Sequence, residues 1–428
     1  MGVGGTEARN NIVVSTATTG ELTYRARAMN RDVERSRRLT SALIEAGMDA
    51  VVCALPVNVL LLSGYWPVVG TAVAIATRDG AVYVCAPEDE QELAARGWAD
   101  EVQTFAPGSL AELKDASEAV RAPLCEMLKR VGVARGSVVG YETGECSEPA
   151  SYVALHLYGG SLQRALAQAF PFTALVPADR LLAEQRATLT PFELERVRAA
   201  CHIAERAFLC GARYLRLGLR ETEVAAKFRA PLSVLTEADE EIARADGFVF
   251  CMSGPNAAKA YAAYQRSRAR KLTHGDLALV HCNSYVDGYW TDLTRTFVIG
   301  ELDERKRQMF DAIFAARLAA LAAIRPGARA AEVDAVARQV LAAYGFGAEF
   351  KHGLGHGVGF AAIDHNAPPR LHPASPDVLE LGMIFNIEPA IYLAGYGGLR
   401  HCDMVVVTET GADVLTPFQS TLEELTIL

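Results

Sequence analysis

The sequence has no CxxC pair, no apolar run that could cross a membrane, and no excess of positive charge. Its nine cysteines are scattered over 428 residues without the dense spacing of a disulfide framework, which favours a reducing cytoplasm. No run reaches the roughly 18 consecutive apolar residues of a membrane-spanning helix, and the N-terminus lacks the basic and apolar regions of a signal peptide. The formal net charge of -9 provides no basic surface for nucleic acid or for an anionic membrane. We therefore expect a cytoplasmic protein without nucleic-acid or membrane partners.

Hydrophobic residues make up 50% of the chain, which is enough for a large core, and the length favours two domains. Residues 1–29 are largely polar and are expected to form a flexible tail. Across residues 30–182, helical patterns alternate with short apolar strands such as "DAVVCAL" and "AVYVCAP". This alternation predicts a compact α/β domain with a mixed sheet.

The pattern changes at "LTPFELERVRAACHIAERAFLCGARYL". Thr190 takes the N-cap position, Pro191 the first helical position and Glu193 the third, which together predict the start of a long amphipathic helix. We place the domain boundary just before this helix, so that the second domain covers residues 183–428. A second helical pattern, "RETEVAAKFRAPLSVL", follows, and beyond it lie apolar strands that two more helical patterns interrupt.

The stretch "VHCNSYVDGYWTDLTRTF" predicts a hairpin with an Asp-Gly turn at residues 287–288. With that turn, His281 opposes Thr294 and Asn283 opposes Asp292, and all four side chains point to one face. His281 and Asp292 are then diagonal neighbours with Cβ atoms roughly 7 Å apart, close enough for one ion to lie between them. A strand end with a capping aspartate and a hydrogen-bonded histidine is the alternative.

Seven of the nine histidines lie between His274 and His401, so their spacing must decide whether they form a site. In "KHGLGHGVGF", His352 and His356 stand among four glycines. Glycine takes positive φ and allows close backbone approach, which suits a tight loop that presents imidazoles to a site. A glycine-rich loop without function is the alternative.

Charged residues and a cysteine also stand at the ends of two apolar segments. "GMIFNIEPAIY" places Glu388 after an apolar strand, where such a residue is either solvated at the rim or a ligand. "GGLRHCDMVVV" places Arg400, Cys402 and Asp403 at the head of another strand. A cysteine entering a buried strand is by default an inert core residue. The order of these segments is more specific than any one of them.

The series "GYWTDLTRTF", "GLGHGVGF", "GMIFNIEPAIY" and "GGLRHCDMVVVT" resembles the pita-bread-fold peptidase family M24, which contains Xaa-Pro dipeptidase, aminopeptidase P, methionine aminopeptidase and creatinase. The stretch "DVERSRRLTSALIEAGMDAVVCALPVNVLLLSGY" is similar to the start of the creatinase-type N-terminal domain of the prolidase branch. The resemblance implies an α/β (α+β) fold with a creatinase-type N-terminal domain and a pita-bread catalytic domain. It also implies a homodimer.

The resemblance further implies a dinuclear centre in which two Asp, one His and two Glu bind two divalent ions. Asp292, His356 and Glu388 match the second Asp, the His and the first Glu, whereas the first Asp falls on His281 and the last Glu on Cys402. Imidazole and thiolate are softer than carboxylate, which shifts the preference from Mn²⁺ toward Zn²⁺, Fe²⁺, Co²⁺ or Ni²⁺. We expect one tightly held divalent transition metal, or two, on these five ligands.

Further roles come from the same resemblance. Tyr261 in "GPNAAKAY" takes the place of the family's substrate-facing histidine, and His365 is displaced by two positions from another. His352 and His365 are expected to stabilise a developing oxyanion or shuttle a proton, and Arg400 to orient the substrate. Arg370 in "HNAPPRL" resembles the arginine that grips the C-terminal carboxylate of a dipeptide, with a surface arginine as the alternative.

The leading hypothesis is a metallohydrolase of the Xaa-Pro dipeptidase and aminopeptidase type acting on a dipeptide. In it, a water whose pKa the ion lowers attacks an amide C–N bond, with Glu388 as ligand and proton acceptor. Tyr261 motivates a second hypothesis, a small-molecule hydrolase or lyase like creatinase or the metal-dependent dimethylsulfoniopropionate lyases. A non-catalytic binding or scaffold protein is a third. Cys402 as a covalent nucleophile is a fourth, and it would need a nearby base.

Overall fold

The computed structural model describes residues 13–15, 31–68, 72–106, 116–143, 159–169, 171–262 and 266–428. Within the expected N-terminal tail, Val13–Ser15 form a strand, and the rest of residues 1–29 lies outside the described part. The described residues fall into two compact units, of which the first ends at Leu182 and the second is Ala183–Leu428.

Helices occur in both units. In chain order, helices α1 to α10 of the described residues are Val33–Glu45, Pro56–Ser63, Gln91–Ala94, Ala116–Arg130, Gly159–Ala169, Asp179–Ala187, Pro191–Ala212, Glu221–Arg229, Glu304–Ala323 and Ala330–Ala343. None of these helices is long and apolar enough to span a bilayer.

Strands also occur in both units, and the three longest lie in the second. In chain order, strands β1 to β17 of the described residues are Val13–Ser15, Ala50–Cys53, Val73–Thr77, Val82–Pro87, Glu101–Phe105, Val138–Tyr141, Ala174–Pro177, Ala245–Ser253, Leu277–Val286, Tyr289–Trp290, Leu293–Ile299, Ile384–Ile387, Ala390–Leu393, Gly397–Arg400, Asp403–Val407, Ala412–Val414 and Thr426–Ile427.

In the first unit, one sheet has the strand order β1-β5-β4-β3-β2-β6-β7. The pairs β2–β3 and β3–β4 are antiparallel, and the other neighbours are parallel. Apolar side chains of the sheet, such as Val52 and Ile75, pack with Leu124 of α4 and Leu166 of α5 in one buried cluster. The mixed sheet predicted from the alternating pattern is confirmed.

In the second unit, β9 is the central strand and pairs antiparallel with β8 on one side and β11 on the other. Two smaller antiparallel groups, β12-β15-β16 and β13-β14, carry the later motifs. The backbones of Thr294 and Cys402 form an isolated bridge, which brings the chain between β14 and β15 against β11. The ends of strands that are distant in sequence therefore meet at one place.

The helix start predicted at Thr190 is confirmed. The Thr190 side chain accepts a hydrogen bond from the backbone N–H of Glu193, and the Glu193 carboxylate accepts one from the backbone N–H of Thr190. Pro191 occupies the first turn, where its missing N–H is not needed. Helix α7 then buries one face through residues that include Val197 and Phe208.

Candidate active site

The hairpin of β9 and β11 has the predicted register, with His281 opposite Thr294. Its turn lies in the left-handed region, with φ of 49° at Asp287 and 89° at Gly288, as an Asp-Gly turn requires. The side chains of the diagonal pair point toward each other, and Nδ1 of His281 lies 3.5 Å from Oδ1 of Asp292.

The glycine-rich loop holds His356 against the strand that leads to Glu388. The backbone N–H of His356 donates to Oδ1 of Asn386 at 2.8 Å, and the backbone N–H of Asn386 donates to the carbonyl of His356 at 3.1 Å. Only glycine fits at position 355, because a Cβ there would lie 1.9 Å from the carbonyl oxygen of Asn386. Glu388 completes the pairing with a 2.7 Å hydrogen bond from its N–H to the carbonyl of Leu354.

His356 forms a cluster with Asp292 and Glu388, and its ring points Nε2 toward both carboxylates. Nδ1 lies 3.0 Å from the carbonyl of Gly357 and therefore carries the proton that it donates there. Nε2 lies 3.3 Å from Oδ2 of Asp292 and 4.0 Å from Oε1 of Glu388. These three side chains converge, and burial leaves each of them almost without solvent.

Glu388 and Arg400 face each other in the same cluster. Nη1 of Arg400 lies 3.6 Å from Oε2 of Glu388, and both side chains are buried. Burial raises the pKa of Glu388 to about 7, although the charge of Arg400 opposes this shift. The Glu388 carboxyl group is therefore placed to exchange a proton near neutral pH.

Cys402 lies at the base of the cluster as a protonated thiol. Its Sγ lies 3.2 Å from the backbone carbonyl of Asp292, to which the thiol donates, and 3.5 Å from Nδ2 of Asn386. Burial, reinforced by the carboxylates of Asp292 and Glu388, raises the pKa of the thiol well above its usual value. Cys402 thus adds no negative charge in this arrangement.

The charged residues of the cluster shift one another's pKa values. Burial by itself raises the pKa of Asp292, but His281, His356 and Arg400 outweigh it, so the pKa lies below the usual value. Burial likewise lowers the pKa of His356, yet Asp292 and Glu388 more than compensate, and the net shift is upward. Burial lowers the pKa of His281 to about 4, so this imidazole is neutral at pH 7.

His352 and Tyr261 lie on one side of the cluster, joined by Tyr392. The hydroxyl of Tyr392 lies 2.9 Å from Nε2 of His352, whose Nδ1 lies 2.8 Å from the carbonyl of Gly353. The ring of Tyr261 packs edge-on against Tyr392 at 5.6 Å and is 41% exposed, with Nζ of Lys351 4.6 Å from its centroid. Tyr261 therefore lies at the outer edge of this group.

His365, the histidine displaced by two positions, also contacts the cluster. The ring of His365 packs edge-on against His356 with centroids 4.9 Å apart, and burial lowers its pKa to about 3. The preceding residue, Asp364, forms a buried ion pair with Arg186 at 2.8 Å and accepts the backbone N–H of Ala367 at 2.9 Å. This ion pair holds the loop that carries His365.

Arg370 is engaged elsewhere. Its Nε and Nη2 lie 2.9 and 2.8 Å from the two carboxylate oxygens of Asp377, which is a bidentate ion pair. Its backbone N–H also donates to Asp377 at 2.8 Å. The structure thus brings together nine of the ten expected site residues, directly or through Tyr392, and binds the guanidinium of the tenth to Asp377.

Several residues of the site were missed from the sequence. Asn386 stands in the apolar strand "IFNI", and a buried polar residue in such a strand was the available signal. Arg295 is fully buried, and its donors reach Asp403 and the carbonyls of Thr294, Cys402, Thr416 and Phe418 at 2.7 to 3.0 Å. It fixes the backbone on both sides of the cluster, and no local pattern in the sequence indicated this.

The five expected metal ligands differ in how they fit an ion. As the side chains stand in the described ranges, no three His, Cys, Asp or Glu residues form a ready metal site. Nevertheless, Nε2 of His356 lies 3.3 Å from Asp292 and 4.0 Å from Glu388, and metal bonds of about 2.1 Å place neighbouring ligand atoms roughly 3 to 4 Å apart. His281 and Cys402 are instead held in hydrogen bonds to protein groups. Nδ1 of His281 and Sγ of Cys402 also lie 3.5 and 3.9 Å from Oδ1 of Asp292, and Nε2 of His356 lies 3.2 Å from Nδ2 of Asn386. Asp292, His356 and Glu388 fit one ion if that amide contact is given up, whereas a second ion would also break the hydrogen bonds of His281 and Cys402.

Comparisons with known proteins agree with this fold. Residues 195–409 match the metallopeptidase family M24, and residues 35–188 match the creatinase/prolidase N-terminal domain. The chain is 29% identical over 387 residues to the Xaa-Pro dipeptidase of Pyrococcus furiosus, covering 90% of this chain and 97% of that one. It is 34% identical over 277 residues to the probable dipeptidase PepE of Mycobacterium tuberculosis, covering 62% and 71%.

A solved structure of a prolidase has a similar fold. The crystal structure of the prolidase from Pyrococcus horikoshii OT3 matches with a TM-score of 0.70 at 26% identity, covering 90% of this chain and 98% of that one. The predicted fold class, a creatinase-type N-terminal domain followed by a pita-bread domain, is confirmed. Because the M24 match alone spans about half of the chain, the chain belongs to the metallopeptidase family M24, as a hydrolase with a creatinase/prolidase-type N-terminal domain.

Proposed function

We propose that this protein is a metal-dependent hydrolase that cleaves the amide C–N bond of a small substrate, with Xaa-Pro dipeptides as the first class to test. A single divalent ion is held by Asp292, His356 and Glu388. The observation that carries the proposal is the convergence of these three buried donors, with His356 3.3 Å from Asp292 and 4.0 Å from Glu388. The similarity to Xaa-Pro dipeptidases supports the choice of substrate class.

Charge supports one ion rather than two. Ionised Asp292 and Glu388 contribute two negative charges, and Arg400 contributes one positive charge. One divalent ion leaves a small net charge that a hydroxide or an anionic substrate neutralises. Two divalent ions would leave a large uncompensated positive charge in a buried site, which is strongly unfavourable.

The roles of the residues follow from their contacts. A divalent ion bound by Asp292, His356 and Glu388 would lower the pKa of a water and polarise the scissile carbonyl. Glu388, the carboxylate that faces Arg400, accepts the proton released on attack and returns it to the leaving amine. Arg400 is placed to stabilise the negative charge that develops on the carbonyl oxygen. His352 orients the Tyr392 hydroxyl through their 2.9 Å contact.

Two observations favour a second candidate function, hydrolysis or elimination on a small non-peptide molecule. The guanidinium of Arg370 is bound bidentately by Asp377 and is not open to a dipeptide carboxylate in this conformation. Tyr261 stands 41% exposed where the family resemblance implies a histidine, so a phenol hydroxyl takes the place of an imidazole at this position. Both changes affect substrate binding rather than the metal.

The test uses metal-stripped protein reloaded with Mn²⁺, Zn²⁺, Fe²⁺, Co²⁺ or Ni²⁺ in turn. Release of proline from a panel of Xaa-Pro dipeptides is measured, with His356→Ala as the matched variant. Proline release that depends on metal and is lost in His356→Ala supports the peptidase function. Bound metal without peptide cleavage, together with turnover of creatine or a sulfonium carboxylate, supports the second candidate. Protein that neither binds metal nor turns over any of these substrates contradicts both.

We further propose that the protein is a cytoplasmic homodimer with a domain boundary near residue 183. The dimer follows from the family resemblance, and the compartment from the scattered cysteines. Sedimentation equilibrium tests the dimer. Limited proteolysis that yields a stable fragment beginning near residue 183 tests the boundary.

A further inference from the structure

A continuous set of polar contacts runs from Arg400 into the hairpin of β9 and β11. Nε of Arg400 lies 3.0 Å from Oγ1 of Thr294, so the guanidinium donates and the hydroxyl accepts. The Thr294 hydroxyl has one proton of its own to donate. Nδ1 of His281 lies 3.1 Å from the same oxygen. The hydroxyl therefore donates to this ring nitrogen if Nδ1 carries a lone pair.

The amide of Asn283 decides which ring nitrogen of His281 carries the proton. Nδ2 of Asn283 lies 3.4 Å from the backbone carbonyl of Thr291, which can only accept, so the amino group faces that carbonyl. Oδ1 of Asn283 then faces Nε2 of His281 at 3.1 Å. Since Oδ1 only accepts, Nε2 must carry the proton and Nδ1 must carry the lone pair. Every donor in the series meets an acceptor in one direction, from Arg400 to Asn283.

Coordination of a metal by His281 would disrupt this series. A neutral imidazole has one lone pair, and here it lies on Nδ1 and accepts from Thr294. Coordination through Nδ1 would displace the Thr294 hydroxyl. Coordination through Nε2 would require Asn283 to turn its amino group away from the carbonyl of Thr291. Either choice breaks the support of Arg400.

We propose that His281 is a positioning residue that holds the guanidinium of Arg400 through the hydroxyl of Thr294, and that it is not a metal ligand. The backbone of Arg400 is held independently, because its N–H donates to Oγ1 of Thr296 at 3.1 Å and its carbonyl accepts from that hydroxyl at 2.9 Å. The hairpin thus fixes both the main chain and the side chain of Arg400.

The arrangement suits this site, which has fewer carboxylates than the family resemblance implies because His281 and Cys402 replace an Asp and a Glu. Arg400 is buried, and Glu388 at 3.6 Å is the carboxylate that contacts it. A buried guanidinium whose charge is only partly compensated needs neutral acceptors to keep its orientation. Thr294 is such an acceptor, and His281 orients its lone pairs by taking the hydroxyl proton. His281 therefore aims Arg400 at the substrate, a role that rests on the proposed function.

The first experiment measures metal binding, which does not depend on knowing the substrate. Stripped wild-type protein, His281→Leu and His356→Ala are each titrated with Zn²⁺, and bound metal is counted by mass spectrometry. His281→Leu is expected to bind the same number of ions with an affinity within about threefold of wild type, while His356→Ala loses at least about 100-fold. A loss in His281→Leu as large as in His356→Ala overturns the proposal.

The second experiment reads the position of Arg400. Crystal structures of His281→Leu and of Thr294→Val, which keeps the volume of a buried side chain, are expected to show the Arg400 guanidinium displaced from its present position. His281→Asn retains an acceptor near the place of Nδ1 and is expected to restore the contact. An unmoved guanidinium in both His281→Leu and Thr294→Val contradicts the proposal. Thr294→Val keeps the test decisive if His281→Leu does not fold.

A kinetic readout applies once a substrate is known. His281→Leu and Thr294→Val are expected to raise KM about tenfold with a smaller change in kcat, and His281→Asn to recover most of the loss. If wild-type protein cleaves no substrate, the proposed function fails. The metal titration and the structures still decide the role of His281.

Discussion

Nε2 of His356 lies 3.3 Å from Oδ2 of Asp292, and its Nδ1 proton is donated to the carbonyl of Gly357. With Nδ1 protonated, Nε2 holds either a second proton, donated to Asp292, or a lone pair, which the Nδ2 amino group of Asn386 reaches at 3.2 Å and which an ion would have to take over. A proton and a divalent ion therefore compete for one position between these two residues. Binding of the ion should release this proton and weaken as the pH falls.

Asp292→Asn tests the centre of the cluster, because it removes one charge and keeps the volume of the side chain. The affinity for Zn²⁺ should fall by at least about 100-fold, since the remaining amide is a poor ligand. Titration of stripped protein with metal counting measures this. Glu409→Gln, which alters an exposed carboxylate, is the control and should bind as wild type does. Equal affinities of Asp292→Asn and Glu409→Gln would show that the ion is held elsewhere.

Restoring the carboxylates at the two altered positions should restore a second ion. The double variant His281→Asp with Cys402→Glu adds two negative charges, so two divalent ions become electrostatically acceptable in the buried site. We expect two bound Mn²⁺ per chain in the double variant and at most one in wild type. Wild-type protein that already binds two ions would contradict the charge argument.

The buried ion pair of Arg295 and Asp403 should dominate the stability of the second unit. Asp403 is fully buried, with one oxygen 2.7 Å from Nη2 of Arg295 and the other 2.5 Å from Nε of Arg317. Asp403→Asn leaves buried guanidinium charge uncompensated and should lower the free energy of unfolding by about 3 to 5 kcal/mol. Urea unfolding at pH 7 measures this. Asp413→Asn, which alters an exposed ion pair with Arg198, should cost less than about 1 kcal/mol.

The effect of Asp403→Asn should also depend on pH. Burial by itself raises the pKa of Asp403, but Arg295, His401 and Arg317 outweigh it and hold the pKa well below the usual range. A carboxyl group with a lowered folded pKa stabilises the fold above its unfolded pKa of about 3.9, and the effect is lost as the pH falls further. The stability difference between wild type and Asp403→Asn should be constant from about pH 5 to pH 8 and shrink below about pH 4. A difference that grows on acidification would contradict this.

Cys402 should be unreactive toward alkylating agents. The thiol is buried, donates to the carbonyl of Asp292, and has a raised pKa, so the thiolate that reacts with iodoacetamide is scarce. Cys210 is exposed and serves as the internal reference within the same protein. Peptide mass spectrometry after brief treatment of metal-free protein should find Cys210 modified and Cys402 unmodified. Rapid modification of Cys402 with loss of activity would instead favour a nucleophilic cysteine.

Features that depend on neighbouring residues were predictable from the sequence. The hairpin register follows from the Asp-Gly turn and the two-residue period of a strand, so His281 was correctly placed opposite Thr294. The capping box at Thr190 follows from three adjacent residue types. The order of the four motifs was sufficient for the family, which the match of residues 195–409 confirms.

Contacts between distant segments were not predictable in this way. Arg370 was expected to face the substrate, yet Asp377 binds its guanidinium, and nothing in the residue types distinguishes the two outcomes. Arg295 is an ordinary member of an apolar strand by position, but it donates to four carbonyls and a carboxylate drawn from three segments. The contact between the rings of His365 and His356 likewise depends on loop geometry that the sequence did not predict.

The sequence by itself determined which residues share a face and which family the chain joins, because strand period, turn chemistry and motif order act over short distances. Only the tertiary structure decided which groups the altered residues contact. His281 has one lone pair, and whether it meets an ion or the Thr294 hydroxyl depends on the orientation of Asn283 and Arg400, which other segments fix. Cys402 is buried in the cluster, and burial keeps its thiol protonated because a low-dielectric interior disfavours the thiolate.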